Sequence, residues 1–138
     1  MNEEQIEIRA MKFAEAYYEK LGWTVVNVAR VRGDHAGYDL FLAKDPERMT
    51  VEVKGGSRLY QIPDLYDTEI NRETKQLIAD ELCVVYHVGT GDPPKIARIP
   101  RDAILLRFIF PKNVYRISRR SKNERNIKKF VVDLNDNA

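Results

Sequence analysis

Val51-Glu52-Val53-Lys54-Gly55, preceded at short distance by Gly37-Tyr38-Asp39-Leu40, is the stretch whose reading decides the fold. Side chains alternate across a strand, so Glu52 and Lys54 project from one face while Val51 and Val53 pack into a core on the other. Residues 38–43 and 50–54 read as two strands separated by 44–49, where Asp45-Pro46 favours a turn. The pair is predicted to form a hairpin that sets Asp39 beside Glu52. Two carboxylates and an ammonium then crowd into one small volume.

Upstream, Ile6, Ala10, Phe13, Ala14, Tyr17 and Leu21 recur at the spacing of one helical face, and Gly22 is placed to end that helix. Residues 23–29 are rich in valine and read as a strand, and 30–37 as a loop. Downstream, Gly55-Gly56 ends the second hairpin strand and an irregular segment runs to about residue 70. Helical character is expected over 72–81, with Leu77 and Ile78 as its apolar contribution. Residues 82–88 are apolar on consecutive positions, the mark of a strand buried on both faces and central in a sheet. A further short strand is expected over 95–99, and 114–118 is expected to pair with 127–134 as a terminal hairpin around the polar stretch 119–126. This order predicts an α/β (α+β) domain with a mixed central β-sheet flanked by helices.

A chain of 138 residues, 43% of them hydrophobic, is long enough for one core and short for two, so 1–138 is read as a single domain. No stretch approaches the roughly 20 apolar residues that span a bilayer, and the N-terminus opens acidic rather than as a signal segment. A cytoplasmic protein without membrane contact is expected. Cys83 is the one cysteine and lies within the apolar run, as a core residue does. His35 and His87 lack partners at zinc-ligand spacing.

Charge is distributed unevenly. Between 111 and 130 stand eight basic residues (Lys112, Arg116, Arg119, Arg120, Lys122, Arg125, Lys128 and Lys129) against Glu124 alone, a net +7, which leaves −5 on the rest of a chain whose total is +2. A basic segment of this kind is either a solvated tail or a surface for a polyanion. Arg116, Arg119, Arg120, Lys122 and Arg125 are candidate phosphate contacts, as is Arg58 at the exit of the 50–54 strand.

Neighbouring carboxylates repel each other unless a cation neutralises them. Magnesium, with manganese as a substitute, suits Asp39 and Glu52 because it prefers oxygen ligands and bridges to phosphate oxygens. The Val53 carbonyl is a further candidate ligand. Lys54 is placed to orient or deprotonate an attacking water, or to stabilise charge on a phosphate. Standing alone, Glu-x-Lys on a strand is an ordinary ion pair; the preceding Asp39 and the upstream helix give it weight. On that helix Glu7 falls at the edge of the apolar stripe, within reach of a site on the sheet, whereas Glu15 and Glu19 point away from the core and Glu3 lies close to the terminus. His35 reads as an exposed loop residue, His87 as a core or edge residue, Asp34 as a loop neighbour, and Tyr60 and Tyr66 as loop packing or base-stacking groups.

The helix glutamate Glu7, then Asp39, then Glu52-Val53-Lys54 on the next strand resemble the PD-(D/E)XK nuclease superfamily. More narrowly, Glu7-Ile8-Arg9-Ala10-Met11 with Leu21-Gly22-Trp23, Gly37-Tyr38-Asp39-Leu40 and Val51-Glu52-Val53-Lys54-Gly55 resemble the DUF3883 group, also called the NO VEIN C-terminal domain, over about residues 3–90. Tyr38 stands where the superfamily name has proline, and Asp67-Thr68-Glu69-Ile70-Asn71 with Glu73 matches only loosely the Thr-x-Asn-Glu segment of that group. The resemblance implies a restriction endonuclease-like fold and a magnesium-dependent endodeoxyribonuclease with Glu7, Asp39, Glu52 and Lys54 at its centre. It further implies a phosphate contact from Lys75 or Gln76, DNA as partner with RNA open, a helicase partner and a homodimer. The alternative is a catalytically silent nucleic-acid-binding or helicase-docking module of the same fold.

Overall fold

The computed structural model describes residues 1–29, 36–117, 127–132 and 134. Helix α1 (Glu3–Lys20) is fixed at its start by a reciprocal cap, in which the Gln5 amide donates to Asn2 Oδ1 and the Asn2 amide to Gln5 Oε1. At its end Gly22 adopts φ +97° and donates its N–H to the Glu19 carbonyl, a left-handed stop. Between these caps the helix buries Ala10, Ala14, Tyr17 and Tyr18.

Strands β1 (Thr24–Asn27), β2 (Leu40–Lys44), β3 (Glu47–Gly55), β4 (Glu81–Tyr86) and β5 (Lys95–Pro100) form one sheet in sequential order. β1, β2 and β3 run as an antiparallel meander, β4 joins β3 in parallel, and β5 closes antiparallel to β4. The predicted hairpin is β2–β3, with Leu40 opposite Val51. The predicted buried strand is β4, whose six residues are all buried. It lies inside the sheet, with β3 as the middle strand. A second, two-stranded ribbon pairs β6 (Leu106–Ile109) with β7 (Val114–Ile117). The fold is therefore an α+β arrangement around a mixed sheet.

The sheet is covered on both faces. Leu40, Leu42, Val51, Val53, Cys83 and Val85 pack against α1. On the opposite face Leu82, Val84 and Tyr86 pack against Leu65, Ile70, Leu77 and Ile117 from the β3–β4 connection and the ribbon. Gly55 governs the approach of α1: a Cβ there would lie 2.8 Å from the Ala10 Cβ and 3.0 Å from Ile6 Cγ2, so the helix crosses the end of β3 only because the side chain is absent. Under the C-terminal half of α1, Glu81 is buried but paired: Tyr18 donates to it from the helix, and Arg98 on β5 donates through Nε at 2.8 Å and Nη2 at 3.1 Å.

Two sequence expectations are corrected. No helix forms over 72–81, so α1 covers one face of the sheet while the β3–β4 connection and the ribbon cover the other. The Asn71 side chain accepts from the amides of Glu73 and Thr74, a local turn that competes with helix initiation, and Lys75 then takes φ +60°. Ile70 instead bridges Leu77, and strand β4 starts already at Glu81. Nor, among the described residues, does 114–117 pair with 127–132. β7 pairs with β6, built from the apolar run 104–110, while Ile127–Phe130 makes a 3-10 turn and Val131 bridges Ala97 on β5. No helix among the described residues is long and apolar enough to cross a membrane.

Candidate functional site

Asp39 stands just before β2, where that strand leaves the edge of β3. Its N–H donates to the Val51 carbonyl at 2.9 Å, its own carbonyl accepts from Val28 and Ala29, and Oδ2 accepts the Val53 N–H at 2.8 Å. The Asp39 carboxylate thus takes over the hydrogen bond that β2 no longer supplies. In a strand the N–H and C=O of one residue point to the same side, so the Val53 carbonyl lies on this edge as well.

One residue either side of Val53, Glu52 and Lys54 point to the opposite face of the sheet from α1. Glu52 is only 3% exposed. Lys54 Nζ lies 2.8 Å from Glu69 Oε2 and 3.6 Å from Glu52 Oε2, and 4.8 Å over the ring of Tyr66. Glu69 is set by a 3-10 turn, Asp67–Glu69, and its Oε1 accepts the Tyr66 N–H at 2.7 Å. Glu52 is within hydrogen-bonding reach of both Asp39 and Glu69. The cluster is therefore Asp39, Glu52 and Glu69 around the single ammonium of Lys54.

Its electrostatics follow from burial and crowding. Burial pushes the Asp39 carboxyl up to about 6, against the opposing pull of the Val53 N–H. Glu52 rises well above the carboxylate range because it is buried and faces two other acids. Glu69 goes the other way: burial opposes its ionisation, but hydrogen bonds from Glu52 and Lys54 hold it below its ordinary value. Burial pulls the Lys54 ammonium down while Glu69 and Glu52 together raise it further. One proton shared over three acids, with Lys54 charged, is the arrangement this pattern favours.

The donor set suits a hard divalent cation: carboxylate oxygens with a backbone carbonyl beside them. Among the described residues no three acidic, histidine or cysteine side chains converge as an assembled ligand shell. Lys54 lies between Glu52 and Glu69, and Asp39 Oδ2 is turned to Val53.

Beside the cluster opens a cavity of about 680 Å³ at the C-terminal end of β3. Lys54, Arg58, Arg107, Lys112 and Arg116 line it, against Glu3, Glu7 and Asp64, with Tyr66 on the wall nearest Lys54. Arg116 is held by Asp64 at 2.6 Å. The fold thus brings Lys54 together with Glu7, Arg58 and Arg116 from three separate parts of the chain. Glu7 is exposed on the cavity wall on the α1 side, and not within the carboxylate cluster. Lys75 is exposed in the turn after Asn71 and does not line the cavity. Arg119, Arg120, Lys122 and Arg125, like Asp34 and His35, lie outside the described residues. Sequence reasoning missed Glu69 as a site residue and Arg107 as a cavity residue. No family model matches the sequence, and no curated protein matches it.

Proposed function

We propose that this chain is a magnesium-dependent nuclease that hydrolyses phosphodiester bonds in DNA. The single observation that carries the proposal is the clustering of the buried Glu52 with the partly buried Asp39 and Glu69 around Lys54, beside a basic cavity. Three clustered carboxylates with little access to water are costly to hold together for structural reasons alone, and a cation site gives them a purpose. The resemblance to PD-(D/E)XK nucleases implies Asp39, Glu52 and Lys54 of this set, without Glu69, and the cavity supplies basic groups for a phosphate backbone.

In this reading Asp39, Glu52 and the Val53 carbonyl hold the cation. When bound, magnesium contributes Lewis-acid stabilisation of charge on the scissile phosphate and acidifies a water. Lys54 donates a hydrogen bond to that water or to a non-bridging phosphate oxygen. Glu69 positions the Lys54 ammonium and keeps it charged. Arg58 and Arg116 hold flanking phosphates, and Glu7 faces the strand from the opposite wall. Cleavage of linear, nicked and branched DNA and of RNA, with and without Mg²⁺ or Mn²⁺, tests this: metal-dependent cutting is expected, and Asp39→Ala and Lys54→Ala abolish it. Binding without cutting on any substrate overturns the proposal.

One observation favours a second reading. Lys54 already neutralises Glu69 and Glu52, so the cluster balances part of its charge without a metal, as in a silent nucleic-acid-binding module. Calorimetric titration with Mn²⁺ separates the two, since the module binds no metal through Asp39.

A further inference from the structure

The β6–β7 ribbon combines two features that its role in the core does not explain. Arg107 and Arg116 are direct partners across it, on the same face, an arrangement that repels itself unless an anion lies between or above them. Asp64 offsets Arg116, while Arg107 stays exposed. At the tip, in the turn between Ile109 and Val114, Lys112 reaches the cavity wall and Phe110 is 81% exposed. Phe108, one pleat away, is 50% exposed, with its ring edge against Tyr115 at a centroid distance of 5.1 Å. Phe110 contributes almost nothing to the core; it stands at the tip two residues from Lys112, just outside the cavity whose wall carries Arg107, Lys112, Arg116, Lys54 and Tyr66.

Cations tracking a backbone, interleaved with exposed aromatic faces, are the chemistry that recognises unpaired nucleotides, because every base has a face that stacks. We propose that the ribbon is a grip for single-stranded nucleic acid, with phosphates against Arg107, Lys112 and Arg116 and a base stacked on Phe110. The strand then runs through the cavity to the Lys54 end, where Tyr66 offers a second ring. A flat lipid surface meets the convex tip but not the cations inside the concave cavity, so a strand satisfies both sets of groups and a bilayer only one. A paired duplex hides its base faces and leaves Phe110 without a partner. The inference rests on the nuclease reading for the fate of the strand, and not for its capture.

The test is fluorescence anisotropy in EDTA, with a labelled single-stranded oligodeoxynucleotide and the duplex of the same sequence. The chain is expected to bind the single strand more tightly. Phe110→Ser weakens single-strand binding roughly 5- to 150-fold, the loss of one stacked base, and leaves duplex binding nearly unchanged. Phe110→Trp restores it. Equal affinity for both forms, or a Phe110→Ser variant that binds the single strand as before, overturns the proposal. So does Phe110-dependent binding to phosphatidylserine-containing vesicles with oligonucleotide binding unaffected. Tight Phe110-dependent capture without metal-dependent cutting supports the grip and sinks the nuclease; cutting without single-strand preference does the reverse.

Discussion

Burial holds the Asp39 carboxyl near 6, so protons and a divalent cation compete for it across an accessible pH range. Mg²⁺ affinity is expected to fall as pH drops from 7.5 to 5.5, read by calorimetry at the two values; an unchanged affinity means that Asp39 is no ligand. The same residue sets a stability effect. A carboxyl raised above its unfolded value favours the folded chain at low pH and loses that contribution as pH rises through about 6. Asp39→Asn keeps an acceptor for the Val53 N–H but removes a partly buried charge, and it should stabilise the metal-free protein at pH 7 by on the order of 1–2 kcal/mol while abolishing cleavage. Lys54 has the opposite sign. Lys54→Met leaves the three acids without a counter-charge, and urea unfolding should show a loss of about 3–5 kcal/mol at pH 8 that shrinks at pH 5, where the acids take up protons. An equal loss at both values would mean that the ammonium only packs.

At the level of elements, the site exists because α1, β3 and the 56–80 connection meet at the end of β3. Gly55 admits the helix there, so Gly55→Ala forces the Ala10 and Ile6 turn away and is expected to cost about 1–3 kcal/mol, measured by thermal unfolding. Cleavage should fall with it, because α1 carries the Glu7 wall of the cavity; a variant as stable and active as the parent removes Gly55 from this role. The strand that carries Glu52 and Lys54 and the one that Asp39 precedes were legible in the sequence, since alternation and the consecutive apolar run of β4 each follow from how a strand is buried. Glu69 was not legible. Its place depends on a connection without periodicity, where a 3-10 turn and the Asn71 side-chain turn replace the helix that Leu77 and Ile78 imply. The β6 strand was missed for a related reason: half of its residues are exposed, so Leu106–Ile109 lacks the clean alternation that identifies a strand against a core.

For the molecule as a whole, the uneven charge of the sequence becomes a geometric statement. Arg107, Lys112 and Arg116 from the ribbon join Lys54 and Arg58 around one cavity, whereas Lys75, equally basic, sits off its wall. Counterion release then gives a quantitative consequence, because each phosphate neutralised adds about 0.7 to the slope of log affinity against log salt for a single strand and about 0.9 for a duplex. Replacing Arg107 and Lys112 together by Ala should flatten the single-strand slope by about 1.4, whereas Lys75→Ala should leave it unchanged. Anisotropy titrations over a range of sodium chloride concentrations supply both slopes. If Lys75→Ala flattens the slope as much as the double variant does, the backbone runs over the β3–β4 connection instead of through the cavity. The grouping of cations around Lys54 then loses its meaning as a binding path, since a long-range attraction alone would not distinguish residues on the wall from residues off it.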